Sequence, residues 1–156
     1  MNDDRKLVIK RVLNAPRSLV FAAWIDEKQA AQWWGPKGFT TVANEMGVRV
    51  GGEWWRRMHS PEGAAHHSRG FYREIVEPER LVFTFSWEQG GVPGHGPETL
   101  VTLTFADLDG DRTELTLKQE LFETTSARDA HYSGWSDCLD RFVEHLSALR
   151  IRREKR

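Results

Sequence analysis

The chain has 156 residues, of which 39% are apolar and 29% charged, a balance that excludes the low-hydrophobicity, high-charge regime of disordered chains. A domain of this length buries about 68–70% of the surface its unfolded form exposes, so one core suffices. With 22 basic against 23 acidic residues the formal charge is −1, which removes the overall field expected of a nucleic-acid or anionic-membrane binder.

Residues 7–13 set Leu7, Ile9 and Arg11 against Val8, Lys10 and Val12, which predicts a first strand with imperfectly separated faces. Pro16 then suits the first position of a short helix in which Leu19, Val20, Ala23 and Trp24 recur at helical spacing. Asp26 followed by Gln29 has the form of a capping box and opens a second helix through Trp33 and Trp34, until Gly35-Pro36 stops it. From 37 to 120 the texture becomes β-branched and aromatic, which predicts six strands at 40–48, 53–59, 67–76, 81–87, 99–105 and 113–120. Turn chemistry at Gly51-Gly52, Pro61-Glu62-Gly63, residues 77–80, the glycine-rich hairpin loop 90–97 and Asp109-Gly110-Asp111 joins them as antiparallel neighbours. After 120 the period changes again. Ser126 and Asp129 resemble a helix start, and Trp135, Leu139, Phe142, Leu146 and Leu149 mark one apolar face over about six turns.

The order is therefore strand, two short helices, six strands and a long helix. A seven-stranded antiparallel sheet whose first strand returns beside its last would curl, and the C-terminal helix is the natural cover for its concave face. The expected fold class is α+β in one domain, residues 1–156, with a core over about 6–149 and a basic tail at 150–156. The longest apolar run, 19–25, is too short to span a bilayer, and the charged stretch Asn2 to Lys6 is unlike a signal peptide, so the expected location is the cytoplasm. A single cysteine, Cys138, forms no internal disulfide and no cysteine-rich metal site; its helical position suits a buried thiol.

Several segments follow in a distinctive order: Trp33-Trp34-Gly35-Pro36, Gly51-Gly52-Glu53-Trp54, the run from Gly70-Phe71-Tyr72 through Glu77-Pro78 to Phe83-Thr84, Val101-Thr102-Leu103-Thr104-Phe105, and Gly134-Trp135. Together, over about 6–148, they resemble bacterial proteins with a domain like the C-terminal domain of the activator of heat shock protein 90 ATPase, in the START-like (SRPBCC) superfamily. That resemblance implies a helix-grip fold with a deep cavity between sheet and long helix, in a superfamily whose members mostly carry lipids, sterols, polyketides or other hydrophobic ligands. The eukaryotic co-chaperones use a separate N-terminal domain for much of their chaperone binding, and 156 residues leave no room for one.

Strand alternation assigns the cavity faces. Leu81, Phe83, Phe85 and Trp87 are all large and apolar between polar Thr84 and Ser86, and Val101, Leu103 and Phe105 repeat the pattern with Leu115 and Leu117. With Trp33, Trp54, Met58, Tyr72, Trp135 and Leu139 they compose an aromatic-rich interior suited to a flat apolar ligand, unless they simply fill the space. Arg56 shares a strand face with Trp54 and Met58, where the family usually offers an apolar or aromatic residue. A guanidinium there needs a partner, such as Glu98, Glu74 or a ligand carboxylate or carbonyl. Alternatively, a register shift after Gly51-Gly52 turns Arg56 outward and brings Trp55 in.

His59, His66 and His67 cluster around one hairpin without metal-ligand spacing, and adjacent His66 and His67 point to opposite strand faces. His131, three residues before Gly134, suits either a general base at the cavity mouth or a surface histidine of an amphipathic helix. No nucleophile elbow, P-loop or dinucleotide fingerprint is present, and no cofactor is implied. The leading expectation is a binding module for a small hydrophobic molecule that enters between the long helix and the 90–97 loop, oriented by Arg56, Tyr72 or Glu98. A cyclase- or hydrolase-like enzyme acting on a polyketide-type ligand in the same cavity is the first alternative, and a chaperone ATPase activator working through its outer surface is the second. An exposed Trp55 would mark a contact between two copies.

Overall fold

The computed structural model describes residues 5–88 and 98–154, with side chains as far as Leu149. The elements in order are β1 (Leu7–Leu13), α1 (Arg17–Ile25), α2 (Glu27–Trp33), β2 (Thr40–Met46), β3 (Glu53–His59), β4 (Ala65–Val76), β5 (Arg80–Glu88), β6 (Thr99–Asp107), β7 (Thr113–Glu120) and α3 (Thr125–Glu154). The strands form one antiparallel sheet in the order β1-β7-β6-β5-β4-β3-β2, so the first strand does lie beside the last. No helix among the described residues is long and apolar enough to cross a membrane.

Local chemistry sets most boundaries. Pro16 is not the first helical residue but the cap before it: its backbone is extended and its carbonyl accepts from Leu19 and Val20. Asp26 caps α2 by accepting the backbone N–H groups of Lys28 and Gln29, while the Gln29 amide returns to the Asp26 carboxylate and not to its backbone. The start of α3 also differs from expectation, because Thr124, not Ser126, accepts the Ala127 N–H. The hairpin loop expected at 90–97 and the side chains of the basic tail lie outside the described residues.

Two bulges bend the sheet. The β2–β3 register shifts between Thr41 and Ala43, and the β4–β5 register shifts between Tyr72 and Glu74, each leaving an extra residue that coils the strand. The central strand β5 is buried on both faces from Leu81 to Ser86, whereas β1 buries only Leu7, Ile9 and Leu13 and leaves Val8, Lys10 and Val12 in solvent. Gly70 permits the closest approach in the concave wall. A Cβ there would collide with the Thr84 carbonyl, and its absence lets the Trp54 indole donate to that carbonyl at 3.2 Å.

The α3 face made of Trp135, Leu139, Phe142 and Leu146 lies against the sheet, with α1 and α2 packed over its C-terminal half. Trp24, Trp33 and Phe142 form a tight aromatic knot there, with ring centroids 4.6 Å apart for both Trp24–Trp33 and Trp33–Phe142. Leu103, Leu117 and Leu139 are fully buried in the same core. Packing at this end is solid, so the open space is displaced toward the N-terminal half of α3.

Candidate functional site

The cavity opens between the first turns of α3, the inner faces of β3 to β5 and the segment that leaves α2. Its volume is about 370 Å³. The α2–β2 connection contributes Trp34, Gly35, Pro36 and Phe39; β3 and β4 contribute Met58 and His66. Phe85 and Trp87 come from β5, and Ala130, His131, Gly134, Trp135 and Cys138 from α3. These rings contact one another, with Phe85 lying 5.1 Å from Trp87, 5.9 Å from His131 and 6.4 Å from Trp135 between centroids. The lining is thus a continuous aromatic wall with little polar surface.

Buried polar relays position the wall. The Trp135 indole donates to Gln119 Oε1 at 2.7 Å, Gln119 Nε2 donates to Thr99 Oγ1 at 2.8 Å, and Thr99 Oγ1 donates to the Phe85 carbonyl at 2.8 Å. This chain ties α3 to β7, β6 and β5 with each donor satisfied. Trp87 is held similarly, its indole N–H pointing at His131 Nε2 at 2.9 Å, while His131 Nδ1 lies 2.8 Å from the Ala127 carbonyl. An indole can only donate and a carbonyl can only accept, so His131 is the neutral imidazole with its proton on Nδ1. Burial pushes its pKa below 6.5, against the smaller upward pull of the Ala127 hydrogen bond. His131 is therefore neither a surface residue nor a free base: it faces the cavity with both nitrogens occupied.

The rim is anchored from α3 by Arg141. Its Nη1 donates to the carbonyls of Trp34, Gly35 and Pro36 at 3.0, 3.1 and 3.0 Å, and its Nη2 to that of Gln32 at 3.3 Å. These carbonyls end α2 without a helical partner, so a guanidinium fork does the capping that a Schellman turn performs elsewhere. Lys37 continues the seam, 3.1 Å from the Asp140 carboxylate. Cys138 is buried beside the rim, and burial pushes its thiol up to about 12, so it stands in the wall as a neutral apolar group.

Of the residues proposed from sequence, Met58, Phe85, Trp87, His131 and Trp135 line this cavity. The others do not. Trp33 is locked in the aromatic knot, Leu103, Leu117 and Leu139 are packed core, and Glu98 is solvent-exposed, 3.8 Å from Arg73. Trp54, Arg56, Tyr72 and Phe83 line a second, much smaller hollow of about 10 Å³, which also includes Trp34. Arg56 faces inward, so the outward register is excluded: β3 pairs with β4 without interruption from Glu53 to His59. Its expected carboxylate partners are both taken, Glu98 by Arg73 and Glu74 by Arg80. Trp55 is half-buried on the opposite face, beside Arg57, His67 and Glu88. Sequence reasoning missed Trp34, Phe39, His66, Gly35, Pro36, Ala130, Gly134 and Cys138 as lining residues and Arg141 as anchor. Only the Trp34-Gly35-Pro36 and Gly134-Trp135 segments carried a signal for any of them. Among the described residues no group of three or more His, Cys, Asp or Glu side chains is arranged to hold a metal ion.

A curved antiparallel sheet closed around one long helix, with a cavity between them, defines a START-like helix-grip domain, an architecture for ligand binding. Within that class, residues 14–147 match the family model of Activator of Hsp90 ATPase homolog 1-like proteins, and the chain belongs to that family. The structure is similar to that of a protein of that family from Silicibacter pomeroyi, with TM-score 0.83 and 23% identity, covering 92% of this chain and 98% of the other. A protein from Chromobacterium violaceum aligns with TM-score 0.78 and 27% identity over 91% and 96% of the two chains. One from Arthrobacter aurescens aligns with TM-score 0.81 and 22% identity over 95% and 90%. No curated protein matches the sequence.

Proposed function

We propose that the protein binds a small hydrophobic molecule, flat and aromatic or lipid-like, in the cavity between β3–β5 and the N-terminal half of α3. The observation that carries this reading is the volume of about 370 Å³ left open inside a wall of rings with little polar surface, where the Trp87 and Trp135 indoles already have acceptors. Pockets for small molecules fall at about 300–1,000 Å³ and are lined mostly by apolar and aromatic side chains. Binding without chemistry is favoured by the two titratable groups on this wall that depart most from ordinary behaviour. His131 has both nitrogens engaged, and the Cys138 thiol is held neutral.

Gly134 provides a direct test, because it lies on the cavity wall and a Cβ there meets only Pro36 Cγ, at 3.8 Å. Gly134→Leu would fill the cavity from a helical position that favours leucine over glycine by about 0.8 kcal/mol. Isothermal calorimetry with 2-naphthol should show saturable one-to-one binding to the wild type and none to the folded variant. Equal binding by both would place the ligand elsewhere and refute the reading.

A further inference from the structure

Arg56 is the buried charged group with an unpaired donor in the described interior. It is 2% exposed, its Nε–H has no acceptor, and Nη2 reaches only the weak acceptor Met46 Sδ at 3.6 Å. Among the described residues no carboxylate lies within ion-pair distance of it. What holds the guanidinium is stacking, with its carbon 3.9 Å from the Trp34 ring centroid and 5.6 Å from that of Trp54. Buried charges in folded proteins are normally paired, so a cation kept without a counter-ion indicates that an anion arrives from outside.

Trp34 stands on the route from the outer cavity to Arg56. This ring borders both the outer cavity and the small hollow that contains Arg56 and Tyr72, and so stands between the two. The hollow, at about 10 Å³, is the size of one water and too small for a carboxylate while the ring stays in place. Of the three indoles on the outer cavity, Trp87 and Trp135 donate their N–H to fixed acceptors, whereas that of Trp34 finds no acceptor among the described residues. Its main chain is anchored by Arg141, and Gly35, at φ +99°, follows it directly. Trp34 therefore combines a fixed backbone with a ring held by packing and by its stack against Arg56.

We infer that the ligand is an apolar molecule with an anionic head of the carboxylate type, and that Trp34 swings aside to let this head pair with Arg56 and the Tyr72 hydroxyl. The inference rests on the cavity reading and adds the chemical class to it. The guanidinium offers a planar fork that matches a carboxylate, and the pairing would replace a stacking contact with charge-assisted hydrogen bonds. The apolar tail would lie along Trp34, Phe85 and Trp135 in the outer cavity.

Two probes of nearly equal shape separate the proposals: 1-naphthylacetate and the neutral 1-naphthaleneethanol, titrated by calorimetry at neutral pH. The wild type should bind the acid about tenfold or more tightly than the alcohol. Arg56→Met should lose that preference, while its affinity for the alcohol changes by less than about threefold. Equal affinities in the wild type would overturn the anionic head while leaving the cavity reading intact, and this comparison needs no variant to fold. A folded Arg56→Met protein that still prefers the acid would also overturn it. Failure of the wild type to bind either probe would sink the cavity reading and the inference with it.

Discussion

Gln119→Leu isolates the relay that orients the cavity wall. The side chain is wholly buried, and its two polar atoms connect Trp135 on α3 to Thr99 on β6. Leucine has similar bulk and no polar atom, so the change strands the Trp135 indole N–H and removes one donor from Thr99, which still donates to the Phe85 carbonyl. A buried donor left without a partner costs about 1–3 kcal/mol, and the loss of the second bond adds about 1 kcal/mol. Transferring apolar leucine into this site returns about 1 kcal/mol, so the net destabilisation should be about 2 kcal/mol. In a chain of this size that lowers Tm by about 4–8 °C.

The decisive assay is a double-mutant cycle by urea unfolding with Trp135→Phe, which removes the donor instead of the acceptor. If the two side chains act as one unit, the double variant should lose about 1 kcal/mol less than the sum of the singles. Strict additivity, or a Gln119→Leu cost below about 0.5 kcal/mol, would show that the relay contributes nothing beyond packing. Because Trp135 borders the cavity, the variant should also weaken 2-naphthol binding.

The two other predictions concern the rim. Burial holds the folded pKa of His131 below the ordinary histidine value of 6.5, so the unfolded chain takes up this proton first as pH falls. The contribution of His131 is complete above about pH 6.5 and declines as pH drops below it, when protonation also removes the acceptor for the Trp87 indole. His131→Phe should flatten that part of the stability profile measured by urea titration; an unchanged slope would refute the assignment. Gly35→Ala places a Cβ 2.7 Å from Met58 Sδ at a backbone φ of +99°. It should cost about 1–3 kcal/mol, read as a drop in urea midpoint, since the left-handed conformation alone costs an L-residue about 1–2 kcal/mol.

Alternating and helical patterns carried far because burial of one face is a local requirement. The seven strands, the two short helices and the long one all follow from which residues must avoid water, and Asp26 announces the start of α2 through a bond it makes within its own turn. The edges of these elements were less legible where a neighbour decided them. Thr124 and Ser126 are both competent caps, and only the path of the chain out of β7 selects Thr124.

The division of the interior into core and cavity was not written in those patterns. Leu103 and Phe85 both occupy inward positions on adjacent strands, yet one is packed solid and the other borders open space, because α1 and α2 cover only one end of the sheet. Likewise, alternation points Arg56 inward, but the structure leaves Glu98 and Glu74 in solvent beside Arg73 and Arg80, away from it. Arg141 gave no local signal at all, since the carbonyls it caps lie more than a hundred positions away in the chain. Sequence by itself determined which faces turn inward. Where space remains between them, and which charges meet there, depended on distances between elements that only the assembled sheet and helix set.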